Sequence, residues 1–165
     1  MSHKSPSTPA TRLLRAEGVA FTEHFYTYEE RGGTRVAAAA LGVPEHCVIK
    51  TLVMEDESNS PLIVLMHGDL EVSTRNLARA TGRRSVTPAS PEAAQRHTGY
   101  MVGGISPFGT RKKMPVHIER TILDLDTVFV NGGSRGFLVG LAPAELARVL
   151  QPVPVAVGIS GRQKT

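Results

Sequence analysis

The sequence has one cysteine, Cys47, and no tryptophan. A lone thiol excludes an intrachain disulfide and a thiolate metal cluster, and it suits a reducing compartment such as the cytoplasm. Aromatic residues make up only 5% of the chain, too few to interleave with its cations as a stacking platform for single-stranded bases. No uncharged apolar run approaches membrane-spanning length, and the opening residues Met1 to Ser7 are polar where a signal peptide would be apolar. The expectation is a soluble chain with no membrane partner, a disordered start over 1–7 and a single domain over 8–165. Several catalytic signatures are also missing. There is no G-x-x-x-x-G-K-[ST], no dinucleotide fingerprint at the pair Gly103-Gly104, no G-x-S-x-G elbow, and no H-E-x-x-H or comparable spacing among the six histidines. Neither a cofactor nor a metal is expected.

What the chain does have is a mild excess of positive charge, +4 with a pI near 9.6, which favours anionic partners. Its patterning predicts an α+β domain with a mixed, largely antiparallel sheet surrounded by helices. Thr8-Pro9 reads as a cap and first helical turn, ending at Gly18, and alternation from Val19 to Tyr28 predicts a strand. Thr34 reads as the cap of an alanine-rich helix that stops at Gly42. Cys47 to Glu55 and Leu62 to Met66 read as a hairpin around the polar turn Asp56 to Ser60. Ser73 and Ser90 open two short helices, strands are expected near Met114 to Glu119, Thr127 to Asn131 and Gly136 to Leu141, and Pro143 to Leu150 is the last helix.

Within this pattern Lys50 stands out. It shares parity with Val48, Leu52 and Met54, while Cys47, Ile49 and Val53 point the other way, so both faces of its strand are apolar. A lysine there either snorkels to the rim or sits partly desolvated against an anion. In "TGYMVGGISPFGTRKKMP", residues 98–115, an apolar strand-like run meets Gly103-Gly104 and then Arg111-Lys112-Lys113. The glycine pair is either a tight turn or a seat where main-chain amides meet an oxyanion or carboxylate. Asn131 to Gly136 is a second glycine-rich junction with the same ambiguity, a hairpin turn or a site whose functional side chain is Arg135. Ser106 precedes proline and reads as a turn residue. Cys47 is expected to pack inward. The Arg83-Arg84 and Arg111-Lys112-Lys113 clusters either track a phosphate backbone or are solvated surface.

Read together and in order, V-I-K-T-L-V, T-G-Y-M-V-G-G-I-S-P-F-G and V-N-G-G-S-R-G-F resemble the YbaK/EbsC family of aminoacyl-tRNA deacylases. The likeness runs from T-P-A-T-R-L-L through F-T-E-H-F-Y to L-A-P-A-E-L-A-R-V-L, nearly the whole chain. It implies a freestanding relative of the prolyl-tRNA synthetase editing domain, a trans-editing hydrolase that removes a wrong amino acid from tRNA, Cys-tRNA(Pro) or a related small-amino-acid tRNA. By motif the family's essential lysine falls on Lys50 and its G-x-x-x-P loop on Gly103, Gly104, Ile105, Ser106 and Pro107. Tyr26 falls on a strand tyrosine of the pocket, and Gly132, Gly133 and Arg135 on a substrate-binding junction.

The implied roles are oxyanion donation by the Gly103 and Gly104 amides and substrate positioning by Lys50. A cysteinyl substrate would be attacked by its own thiol, other substrates by water. The implied partners are the acceptor end of aminoacyl-tRNA and prolyl-tRNA synthetase. Two features depart from the family pattern: Leu138 stands where some members carry an acid, and the loop at Arg31-Gly32-Gly33 is short relative to the cysteine-specific branch. Both leave the amino acid open. A non-catalytic module that binds tRNA or the synthetase is the competing expectation.

Overall fold

Thr8 caps the first helix as predicted. Its hydroxyl accepts the Thr11 amide at 3.0 Å, and Thr11 returns the contact to the Thr8 amide at 2.9 Å. The computed structural model describes residues 5–161. Of the disordered start expected over 1–7, residues 1–4 lie outside the described residues, while the Thr11 hydroxyl reaches the Pro6 carbonyl at 3.0 Å.

Ten strands and five α-helices follow in an irregular order among the described residues. Helix α1 is Pro9–Ala16, β1 Thr22–Phe25, α2 Gly33–Leu41, β2 Ile49–Asp56, β3 Pro61–His67, β4 Glu71–Val72, α3 Thr74–Thr81 and β5 Val86–Pro88. Then come α4 Pro91–Thr98, β6 Val116–Glu119, β7 Val128–Ser134, β8 Phe137–Leu141, α5 Pro143–Leu150, β9 Val153–Val155 and β10 Gly158–Ile159. The strands form a five-stranded sheet in the order β5-β2-β3-β6-β9, a three-stranded sheet β1-β8-β7, and a small pair β10-β4. Among the ladders of the described strands only β3 with β6 and β6 with β9 run parallel, so the sheet is mixed and the pairing largely antiparallel, as expected. The fold is α+β.

The main core lies between the two larger sheets. Ile49, Ile63, Leu65 and Ile118 meet Val130, Phe137, Val139 and Leu141 there, with Leu14 and Phe108 closing the ends. A second core on the other face of β3 gathers Leu62, Val64 and Met66 against Leu77 of α3 and Val155 and Val157 of the C-terminal segment. Strand β3 is therefore apolar on both faces, and each side chain fully buried there contributes roughly 1.5–3 kcal/mol. A single parallel bridge from Val48 to Phe129 stitches the two sheets beside the start of β2.

Four expectations need correction. The strand expected over Val19 to Tyr28 pairs only over 22–25, because its partner β8 begins at Phe137 and the chain leaves register after Phe25. Thr34 does not cap α2. Gly32 occupies that position, and the Thr34 hydroxyl instead donates to Glu45 Oε2 at 2.7 Å. Tyr100 to Val102 is not a strand, since Tyr100 turns inward and its hydroxyl donates to the Phe108 carbonyl at 2.6 Å. Cys47 lies in a short 3-10 turn, Glu45–Cys47, and is only half-buried.

Candidate active site

The cavity that gathers the chemistry has a volume of about 1000 Å³. Its location follows from an incomplete ladder. Strand β5 pairs with β2 only at Met54, Glu55 and Asp56, so the first half of β2 has no ladder partner among the described strands on that side. Lys50 sits in this open half, half-buried, across from Met66 of β3. The ammonium donates to the Leu70 carbonyl oxygen at 2.7 Å. Lys50 therefore does not snorkel into solvent: a backbone acceptor holds it on the wall of the cavity.

The segment that presents Leu70 is braced on several sides. Gly68 lies so close to the Glu45 and Val48 carbonyls that a Cβ would come within 2.7 Å and 2.6 Å of them. His67 is fully buried; its Nδ1 donates to the His46 carbonyl at 2.7 Å, which leaves Nε2 to accept the Thr121 hydroxyl at 2.7 Å. Burial holds the His67 ring below its ordinary pKa, consistent with that neutral tautomer. The His46 ring stacks on His67 at 3.6 Å and meets Asp69 at 2.9 Å. His46, His67 and Asp69 are the group of described residues whose ligand atoms lie close enough to hold a metal ion, yet both ring nitrogens of His67 already have protein partners.

Leu138 of β8, Val48, Ala37 and Ala38 pack together, with Tyr26 against them. Burial raises the pKa of Tyr26, with the neighbouring Tyr28 adding to the effect. The opposite wall is Gly103. Its φ of +93° and the Tyr28 hydroxyl, 2.5 Å from where a Cβ would stand, both demand glycine. Asn131 Nδ2 donates to the Gly103 carbonyl at 3.2 Å, and Arg135 Nε donates to the Val102 carbonyl at 2.9 Å.

Of the residues singled out in the sequence, Tyr26, Lys50, Gly103, Ile105 and Arg135 line this one cavity, as does Leu138. The others do not. The Gly104 amide donates to the Met101 carbonyl at 2.8 Å inside a turn, so it has no proton to offer an oxyanion. Ser106 and Pro107 are buried, and the Ser106 hydroxyl accepts the Phe108 amide at 3.2 Å, a turn role. Gly132 and Gly133 form the bulge between β7 and β8: Gly132 lies under the Phe137 ring and gives its carbonyl to Thr8 at 2.6 Å, while the Gly133 amide donates to Asn131 Oδ1 at 2.7 Å. Both glycines shape the junction that carries Arg135 without lining the cavity themselves. Sequence reasoning missed Leu70, Tyr28 and the side-chain role of Asn131; the signals present were the shared parity of Tyr28 with Tyr26 and the place of Asn131 at the start of the glycine-rich junction.

Cations and carboxylates interleave on the wall, with Arg31, Arg35, Lys50 and Arg135 beside Glu29, Glu30, Glu45 and Glu71. Such a lining suits a ligand that is anionic at one end and cationic at the other, which is the chemistry of an amino acid esterified to a nucleic acid. The chain belongs to the family of the aminoacyl-tRNA editing domain, whose model matches residues 29–149. Among curated relatives it is 28% identical over 137 residues to the Enterococcus faecalis protein named "Putative Cys-tRNA(Pro)/Cys-tRNA(Cys) deacylase EbsC", covering 82% of this chain and 84% of that one. It is also 28% identical over 148 residues to YwhH of Bacillus subtilis, covering 89% and 90%. A proline–tRNA ligase from Thermodesulfovibrio yellowstonii is 34% identical over 91 residues, 55% of this chain but only 15% of the ligase. Among solved structures, the hypothetical protein APE2540 superposes with a TM-score of 0.84 at 24% identity, over 92% of this chain and 99% of that one. A structure described as "a putative trans-editing enzyme for prolyl tRNA synthetase" superposes with a TM-score of 0.81 at 22% identity, over 94% and 100%.

Proposed function

We propose that this protein hydrolyses the ester of a mischarged aminoacyl-tRNA in trans, with Cys-tRNA(Pro) or another small-amino-acid tRNA as substrate. The observation that carries this reading is the meeting of Lys50, Gly103 and Arg135 in one cavity of mixed charge. Attack on an aminoacyl ester builds negative charge on the carbonyl oxygen, and a donor aimed there lowers the barrier by about 3 kcal/mol. With the Gly104 amide occupied, Gly103 is left as the main-chain donor of the pair on this wall, and Lys50 is the nearby cation. Lys50 holds the phosphate or ester oxygens of the terminal nucleotide, a positioning role. Arg135 reaches the backbone phosphates from the mouth, and the exposed Arg111, Lys112 and Lys113 meet the acceptor stem.

For a cysteinyl substrate the side-chain sulfur bonds to the carbonyl carbon, the carbon–oxygen ester bond breaks, and the thiol proton ends on the departing ribose hydroxyl. For alanine a positioned water takes the place of the sulfur. The reaction belongs in the cytoplasm, where charged tRNA and prolyl-tRNA synthetase are found. The test is a deacylation panel of Cys-tRNA(Pro), Ala-tRNA(Pro) and Pro-tRNA(Pro), run with the wild type and Lys50→Ala. Hydrolysis of a mischarged member, reduced about 10²-fold or more by the substitution, is expected. Salt-sensitive tRNA binding with no hydrolysis of any member would instead establish a non-catalytic binding module.

A further inference from the structure

We infer that Glu119 is a positioning residue for Lys50, acting through the C-terminal strand β10. Glu119 ends β6 and is only 7% exposed. A carboxylate so placed is costly unless its oxygens are matched, and here both are. Oε1 accepts the Val157 amide at 2.7 Å, and Oε2 accepts the Gly158 amide at 3.1 Å. Hydrogen bonds to an ionised acceptor are roughly twice as strong as neutral ones, so the carboxylate fixes Gly158, the first residue of β10, and Val157 just before it.

Strand β10 passes that order on. Gly158 pairs with Val72 and Ile159 with Glu71, and the Ser73 amide donates to the Val157 carbonyl at 2.8 Å. A ladder of two residues has little stability of its own, so β4 depends on what anchors its partner. The residue immediately before β4 is Leu70, whose carbonyl oxygen holds the Lys50 ammonium. The connection is also direct: a Cβ on Gly158 would lie 2.9 Å from Glu119 Oε2, 3.1 Å from Leu70 Cδ1 and 3.1 Å from the Met66 sulfur. Met66 is the cross-strand partner of Lys50. Two residues beyond Glu119, Thr121 braces the other end of the same segment through His67. The stretch 119–121 thus holds residues 67–70 at both ends, and Lys50 is aimed by a carbonyl that depends on the C-terminal strand.

The catalytic part of this inference rests on the deacylase reading; the geometric part does not. The test uses Glu119→Gln, which keeps the shape but replaces one acceptor oxygen with a donor facing an amide, and Gly158→Ala, which presses on Leu70 and the carboxylate together. Each is made alone and with Lys50→Ala, with folding checked by circular dichroism. Each single variant should lower kcat for the mischarged tRNA by about ten- to a hundredfold with KM nearly unchanged. Neither should lower it further in the Lys50→Ala background. Equal losses in both backgrounds would overturn the inference.

A second readout needs no activity. In nitrogen-15 lysine spectra, the Lys50 ammonium signal, assigned by its loss in Lys50→Ala, should move in both variants toward the signals of Lys112 and Lys113. An unmoved signal overturns the inference even in an active enzyme. A moved signal in a protein that hydrolyses nothing supports the clasp and sinks the deacylase reading instead. Should Glu119→Gln fail to fold, Gly158→Ala carries both measurements.

Discussion

The guanidinium of Arg135 lies 4.9 Å from the centroid of the Tyr28 ring, at the mouth of the cavity. Its Nε is committed to the Val102 carbonyl, so ring and carbonyl together fix the direction in which the remaining N–H groups point. Arg135→Ala should raise KM and reduce the salt dependence of tRNA binding by about one unit of slope, as expected for one lost phosphate contact. Arg135→Lys should not restore the wild type. A lysine carries no planar fork, so it cannot stack on Tyr28, donate to Val102 and still reach a phosphate. Titration of binding against salt for the three proteins checks this, and a wild-type slope in Arg135→Ala would remove Arg135 from the binding surface.

Gly103→Ala tests the opposite wall. A side chain at φ +93° is strained by roughly 1–3 kcal/mol, and its Cβ would also meet the Tyr28 hydroxyl at 2.5 Å. The variant should lose at least about tenfold in kcat/KM and a few degrees in Tm. Adding Tyr28→Phe should recover part of the Tm loss but not all, because the ring carbon Cζ would still lie 2.9 Å away. Full recovery would mean that backbone conformation is not at issue. Gly104→Ala should have no such remedy, since its Cβ meets main-chain atoms of Ser134 and Arg135 at 2.9–3.0 Å.

Lys50 was legible in the sequence because a charge in an otherwise apolar alternation has few comfortable places to go. The α+β class was legible for a similar reason, as caps, turns and changes of period lie at the right intervals. Other features leave no such mark. Leu70 acts through its carbonyl oxygen, and a backbone acceptor has no residue identity to read. Strands β4 and β10 have two residues each, too short for any alternation, and exist because Glu119 and Val157 bring them together. The Gly104 amide looked available, since Gly-Gly signals bare backbone. Only the inward turn of Tyr100, which folds 101–104 back on itself, reveals that the amide is occupied. At Gly132 and Gly133, read as a hairpin turn or a site, the turn is what the structure shows, and the groups close to them are Phe137, Thr8 and Tyr100 of the chain itself.

Leu138 is the place to probe which amino acid is removed. It is 4% exposed and lines the cavity together with Val48, Ala37 and Tyr26. Leu138→Ala should cost about 2 kcal/mol in stability, at the low end for a buried leucine because one side already faces open space. The cavity should widen by the lost methylenes. Discrimination against a larger acyl group should then relax by about tenfold, seen as a rise in kcat/KM for Pro-tRNA(Pro) relative to Ala-tRNA(Pro). If the ratio stays fixed while stability falls, the aminoacyl group binds elsewhere in the cavity and Leu138 is only core.

Tyr100 supplies a prediction that does not depend on function. It is 5% exposed, and its hydroxyl donates to the Phe108 carbonyl, which ties together the two ends of the loop that carries Gly103. Burial raises the phenol from its ordinary 10.0 to about 12. The folded protein thus keeps this proton at a pH where the unfolded chain has begun to lose it. The associated stability is fully present below pH 10 and is lost as pH rises through the window from 10 to about 12. Two pKa units correspond to a loss on the order of 2–3 kcal/mol across that window. Tyr100→Phe should lack this component while costing about 1 kcal/mol at neutral pH, because the Phe108 carbonyl is left unpaired. Urea midpoints for the two proteins from about pH 9 to about pH 12 should therefore converge and then cross, because an advantage of about 1 kcal/mol is smaller than the loss of about 2–3 kcal/mol across the window. Parallel curves across that range would mean that the hydroxyl titrates with water at hand and that the loop is open at its base.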